Sequence, residues 1–323
     1  MGPPPVRPAR PRSWDDAPVK LVYSDRYRPD VGGHILKAEV HRRVVDRLRE
    51  AGLVGASDVV EPEPASWDDL ALVHTREYLE RARRGAFSTA DLALLELPWS
   101  PAVEASYLRV TGGTMLAARL ALEARRQAAP PLAAAANIGG GLHHAFPARG
   151  EGFCVFNDIA VAIRALQRDG AIRRAAVVDA DVHQGNGTAA IFGGDPSVFT
   201  FSIHQEHNYP ELKPPSSLDV GLPDGAGDDE YLGALERALP AVTASRPDLL
   251  VYLAGADPYV DDQLGGLRLS LEGLRGRDFM VLSAARDADV PVAIVLSGGY
   301  ARRMEDTAAI YAAAIEEAIA LGA

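Results

Sequence analysis

Four short apolar runs, each ending in residues that can hold a proton or a metal, constrain this chain more than any other feature. Residues 175–178 (AAVV) run into Asp179-Ala180-Asp181-Val182-His183, and residues 249–254 (LLVYLA) reach Asp257. Residues 292–296 (VAIVL) reach Ser297-Gly298-Gly299-Tyr300, and residues 134–138 lead through three glycines to Leu142-His143-His144. Apolar runs this short, bounded by turn-forming residues, read as strands buried on both faces. Segments with helical spacing lie between them, so the pattern predicts a single-domain α/β fold: a mainly parallel β-sheet flanked by helices on both faces. In such sheets ligands gather at the carboxyl ends of the strands. His143, His144, Asp181, His183, Asp257 and Tyr300 all follow an apolar strand, a placement that unrelated loop residues would rarely repeat four times.

In extended geometry alternate residues share a face, which would let Asp179, Asp181 and His183 point the same way. Carboxylate and imidazole are ordinary ligands for a zinc-like cation, and Asp257 is a third candidate. The plainer alternative is a solvated turn, but Val182 has the wrong chemistry for one. Adjacent histidines often merely sit in a loop, yet the glycines before His143 and His144 imply a backbone in close approach to something. Two acids and one imidazole leave an open position on a tetrahedral metal, the arrangement of a catalytic site. Such a metal lowers the pKa of bound water to about 7 and polarises a carbonyl. A nearby imidazole then takes the proton and a phenol stabilises the oxyanion, which describes amide hydrolysis.

The rest of the chain reads as scaffold. Helical patterns cover 34–51, 75–84, 104–126, 159–167, 228–244 and 302–321, and residues 205–227 read as a long proline-containing loop at a substrate entrance. His34 and His41 read as capping or surface residues, the 95–101 segment as an apolar loop, and Gly112-Gly113 as a close contact or a break. With 33 basic and 44 acidic residues the net charge is −11, which argues against a nucleic-acid-binding body. No apolar run approaches the ~20 residues needed to span a bilayer. The single cysteine, Cys154, suits a reducing cytoplasm. Residues 1–18, rich in proline and arginine, are expected to be a disordered tail, leaving 19–323 as the domain.

The segments NIGGGLHH, GFCVFND, VVDADVHQGNGT, LAGAD with DQLGGL, and LSGGY together resemble the successive motifs of the zinc-dependent histone deacetylase family, over nearly the whole chain. HQGNG, the 263–267 run and the serine of SGGY are most similar to class IV and bacterial histone deacetylase-like amidohydrolases. The resemblance implies an arginase/deacetylase fold with one Zn²⁺ on Asp181, His183 and Asp257, and removal of an acetyl or longer acyl group from acyl-lysine or a similar amine. It implies His143 and His144 as proton-transfer residues, Asp179 as the acid behind His143, and Tyr300 as the transition-state donor. Gly152, Phe153, Tyr209 and Leu267 would line a substrate tunnel. A structural K⁺ is likewise implied near Asp179, Asp181, His183, Ser202 and Ile203. Asn186 departs from the class I pattern, where an aspartate orients the second histidine. A neutral amide stabilises an imidazolium less, so His144 is expected to rest neutral and act as general base. Two alternatives remain: a binuclear arginase-like ureohydrolase, which needs further acids where Gly185 and Gly255 stand, and a non-catalytic acyl-lysine-binding protein. No membrane or nucleic-acid partner is expected, and the sequence does not fix an oligomeric state.

Overall fold

The computed structural model describes residues 19–27, 31–32, 34–37, 39–127 and 130–323. The expected tail, 1–18, lies outside the described residues. Among the described residues eight strands form one sheet: β1 (Val19–Val22), β2 (Val59–Val60), β3 (Ala134–Asn137), β4 (Ala175–Asp179), β5 (Val198–Gln205), β6 (Leu218–Leu222), β7 (Leu249–Leu253) and β8 (Val292–Val295). Their order is β2-β1-β3-β8-β7-β4-β5-β6, and every pairing is parallel. The chain leaves β3, skips two places to lay down β4, and later fills the gap with β7 and β8. The four strands that lead to the candidate residues are thereby neighbours in the centre of the sheet.

The helices are α1 (Glu39–Glu50), α2 (Trp67–Leu70), α3 (Arg76–Arg84), α4 (Thr89–Leu95), α5 (Pro101–Gln127), α6 (Asp158–Arg168), α7 (Asn186–Phe192), α8 (Asp228–Ala244), α9 (Leu271–Asp287) and α10 (Met304–Leu321). Strand periodicity divides the core. Ala176, Val178, Leu250, Tyr252, Val292 and Ile294 pack with α1, α8, α9 and α10, while Ala175, Val177, Leu249, Val251, Ala293 and Val295 pack with α5 and α6. Both faces are covered, which is why these strands read as unbroken apolar runs.

Several expectations shift. The first predicted helix begins at Glu39 rather than at residue 34, and His34 lies in the preceding turn, where its Nδ1 accepts the Leu36 amide. The 205–227 segment is not all loop, because β6 alternates along its length and pairs with β5 at the sheet edge. Gly112 and Gly113 are close contacts and not a break: a Cβ at either would come within 1.9 Å of the Glu63 carbonyl or the Tyr27 hydroxyl. In the 95–101 segment Leu95 and Leu97 are core residues and Trp99 packs edge-on against Phe87.

His74 ties this scaffold to the site. It is buried, its Nδ1 faces the Phe146 carbonyl at 3.0 Å, and its Nε2 accepts the Asn157 amide at 3.0 Å, which fixes the neutral Nδ1–H tautomer. Burial lowers its pKa to about 4 from 6.5. Its stabilising contribution is therefore complete above pH 6.5 and is lost as pH falls toward 4, where the unfolded chain binds a proton that the folded one refuses. The loss amounts to about 3 kcal/mol. Urea unfolding across pH 4–7 is expected to give a steeper slope for the wild type than for His74→Leu, and equal slopes would refute the linkage.

Candidate active site

The loops after β3, β4, β7 and β8 meet at the carboxyl edge around one cavity of about 340 Å³. His143, His144, Gly152, Phe153, Asp181, His183, Tyr209, Asp257 and Tyr300 all line it. Leu267 does not. It is 2% exposed within the core beneath, and Leu264 lines the cavity in its place.

Asp181, His183 and Asp257 each offer a ligand atom within 4.8 Å of the others, and all three are buried. His183 Nδ1 stands 3.0 Å from Asp181 Oδ1 and 3.4 Å from Asp257 Oδ2. The alternation expected for residues 179, 181 and 183 ends with β4 at Asp179, and the chain bends immediately afterwards. Asp179 consequently faces His143, with Oδ2 2.7 Å from Nδ1, instead of joining the other two. Burial alone would lower the His183 pKa, but Asp181 and Asp257 raise it to about 10. Burial, reinforced by Asp181, pushes Asp257 up to about 8. Asp257 Oδ2 is buried without a hydrogen-bond partner among the described residues, while Oδ1 accepts the Val182 amide at 2.8 Å. An orphaned carboxylate oxygen beside a second acid and an imidazole is the donor set a divalent cation satisfies.

The paired histidines differ in charge. Burial is outweighed at His143 by Asp179 and then Asp181, which raise it to about 9. At His144 burial, followed by the charges of His143 and His183, pulls the pKa well below the ordinary range. His144 Nδ1 lies 2.7 Å from Asn186 Oδ1, whose Nδ2 donates to Glu151 Oε1 at 2.7 Å. Tyr300 is held by its backbone: its amide donates to Asp262 Oδ2 at 2.6 Å, and its carbonyl accepts Gln263 Nε2 at 2.7 Å. Burial first, then Asp257 and Asp181, push its phenol well up, so it keeps its proton.

The walls have their own supports. Phe153 adopts φ +65°, a conformation costly for a bulky residue, and its carbonyl accepts the Tyr107 hydroxyl at 2.7 Å. Its ring meets His34 at 4.7 Å and Tyr300 at 6.1 Å, both edge-on, so His34 packs at the rim as well as capping a turn. Tyr209 packs edge-on against His144 at 5.0 Å and His183 at 6.0 Å. Ser202 pairs in register with Asp179 on the adjoining strand, and Ile203 is fully buried beside it.

Three supporting residues escaped sequence reasoning. Asp262, inside the DQLGGL segment, clamps the Tyr300 loop and also accepts the Leu264 and Gly265 amides. Glu151 holds Asn186, and its only sequence signal is an acid set between two glycines just before Phe153. Arg277 is fully buried under the sheet edge and donates to the carbonyls of Ala180 and Gly255, at 3.2 and 2.5 Å, one in each acid-bearing loop. Asp278 balances its charge at 2.8 Å.

Comparison with known proteins agrees with this geometry. A solved HDAC homolog complexed with SAHA superposes with a TM-score of 0.77 at 26% identity, covering 93% of this chain and 84% of its own. The histone deacetylase-like amidohydrolase of Pseudomonas aeruginosa is 34% identical over 295 residues, 84% of this chain and 74% of that protein. An uncharacterized protein of Picosynechococcus sp. is 41% identical over 288 residues, 87% of this chain and 93% of its own length. The family model for the histone deacetylase domain matches residues 34–317, so it takes in every one of the strand-end residues that line the cavity. A sheet whose central strands each deliver a proton- or metal-binding residue to one cavity, matched over that span, places this chain in the histone deacetylase family.

Proposed function

We propose that this protein is a zinc-dependent deacetylase that hydrolyses the amide of acylated lysine or a similar acylated amine. The carrying observation is the convergence of Asp181, His183 and Asp257 within 4.8 Å on the wall of a cavity that His143, His144 and Tyr300 also line. These three would hold one Zn²⁺, which when bound supplies a Lewis acid for the substrate carbonyl and acidifies water. His144, neutral and with Nδ1 engaged by Asn186, leaves Nε2 free to accept a proton from water as general base. His143, charged and braced by Asp179, donates a proton to the departing amine. Tyr300 donates its phenolic hydrogen to the oxygen on which negative charge develops. Phe153 and Tyr209 would flank the aliphatic stem of the substrate, and Val40, Val110 and Leu142, which also line the cavity, add apolar surface that suits acyl groups longer than acetyl.

One metal fits better than two. A Cβ at Gly185 would fall 2.2 Å from Asp179 Oδ2, and one at Gly255 2.6 Å from the Asp181 Cα. Neither position admits the extra acid that a binuclear ureohydrolase requires. The register pairing of Asp179 with Ser202 supports a structural K⁺ at Asp179, Asp181, His183, Ser202 and Ile203. The HQGNG segment supports a class IV or bacterial-type enzyme, and the lone cysteine a cytoplasmic one.

Purified, zinc-loaded protein assayed on acyl-lysine peptides and acylated polyamines is expected to release the acid from at least one class of substrate, and a chelator should stop it. A full zinc complement with no release across the panel would favour an acyl-lysine-binding protein.

A further inference from the structure

We infer that Glu151 is a positioning residue that sets which nitrogen of His144 carries the proton and where the Tyr209 wall stands. The inference rests on the deacetylase function proposed for this site. Glu151 Oε1 accepts two hydrogen bonds, from Asn186 Nδ2 at 2.7 Å and from the Tyr209 hydroxyl at 3.0 Å, and its Oε2 accepts Arg149 Nε at 2.9 Å. Arg149 in turn lies over the Phe146 ring, 3.6 Å from its centroid, so the carboxylate is braced from outside as well.

An amide side chain can present either its oxygen or its nitrogen to a neighbour, and its partners decide which. An ionised carboxylate only accepts, so Glu151 compels Asn186 to turn Nδ2 outward and Oδ1 inward. The Gly187 amide, a donor at 3.0 Å from Oδ1, agrees with that orientation. His144 Nδ1, 2.7 Å from Oδ1, must then be the protonated nitrogen. Nε2 is left as an acceptor, the state a general base needs. A reversed amide would demand the opposite tautomer and disable it. Asn186 cannot enforce this alone, because nothing in an amide distinguishes the two orientations except what surrounds it. In this chain the negative charge stands one residue behind the ring instead of against it. The same oxygen fixes Tyr209, whose ring packs on His144 and His183, so one carboxylate sets both the base and a tunnel wall.

An exchange of acid and amide tests this. Asn186→Asp alone would set two carboxylates against each other where an amide and an acid now meet at 2.7 Å. It is expected to lower kcat at least tenfold with little change in KM. Adding Glu151→Gln restores a donor facing an acceptor, with the direction of the bond reversed, and the double variant is expected to recover most of that loss. The same exchange would also repair a loss of folding, so a thermal melt of each variant is read beside kcat, and the rescue counts only where the single variant is folded. Glu151→Ala, which removes the acceptor without adding charge, is expected to lower kcat about tenfold and to raise KM through the freed Tyr209, with the thermal melt confirming a folded chain. The inference is overturned if Asn186→Asp matches the wild type, if the double variant is no better than the folded single one, or if Glu151→Ala keeps wild-type kcat. A wild type that releases no acid on the acyl panel would instead overturn the deacetylase reading itself.

Discussion

Tyr300→Phe is expected to lower kcat for acetyl-lysine hydrolysis by about two to three orders of magnitude, the usual cost of one oxyanion donor, while KM changes little. The substitution removes a single oxygen. The ring retains its edge-on packing against Phe153, and the backbone clamp from Asp262 and Gln263 does not involve the side chain, so the loop should hold its place. The hydroxyl is a donor available to developing charge, whereas the Ser297 hydroxyl on the same loop already donates to the Gly141 carbonyl at 2.8 Å. Burial, Asp257 and Asp181 all oppose its ionisation, so the phenol stays protonated across the working pH range. Steady-state kinetics beside a thermal melt measure the effect, and a loss smaller than fivefold in a folded variant would remove Tyr300 from the chemistry.

The second large effect is expected at Asp257, and it has two signs. Asp257→Asn should reduce bound zinc and turnover to background, because one of three ligand-bearing side chains loses its charge. In chelator, the same variant should melt at or above the wild type. Metal-free wild-type protein must keep a buried carboxyl group beside Asp181 whose Oδ2 has no hydrogen-bond partner among the described residues, and its pKa of about 8 reflects how costly it is to ionise there. An amide never ionises, so the advantage of the variant in chelator should grow as pH rises toward 8. Zinc content by elemental analysis, turnover, and melting with and without chelator give three independent readings. Wild-type zinc content together with wild-type turnover would defeat the assignment of Asp257 as a ligand.

The central strands were legible because β4, β7 and β8 are buried on both faces and so appear as uninterrupted apolar runs. The acids, histidines and tyrosine at their ends were legible for the same reason, since a polar residue after such a strand stands out. The edge was not. β6, with its burial alternating along Leu218–Leu222, lies in a stretch where prolines and acids mask the period. α7 was hidden because it opens on Asn186-Gly187, a pair that reads as a turn, and Gly187 is required there by the approach of the Ala145 carbonyl, 2.4 Å from where a Cβ would sit. α9, whose Ser270 cap and buried Arg277 are ordinary helix sequence, carried no sign that its arginine reaches the acid-bearing loops. Leu267 was misplaced for a related reason: resemblance locates a segment near the tunnel, but only the folded loop decides that Leu264 lines the cavity while Leu267 is buried in the core. The backbone clamps of Asp262 and Glu151 depend on loop geometry, which no periodicity encodes.

Arg277 bears on how this enzyme would respond to its surroundings. A permanent cation bolted to the main chain of both acid-bearing loops holds them at their working separation whether or not anything sits between the acids. Emptying the site should therefore cost the protein its chemistry without costing it its shape. Such a molecule can be discharged and recharged repeatedly, so that the supply of free divalent ions, rather than renewed synthesis, would govern how much of it is at work.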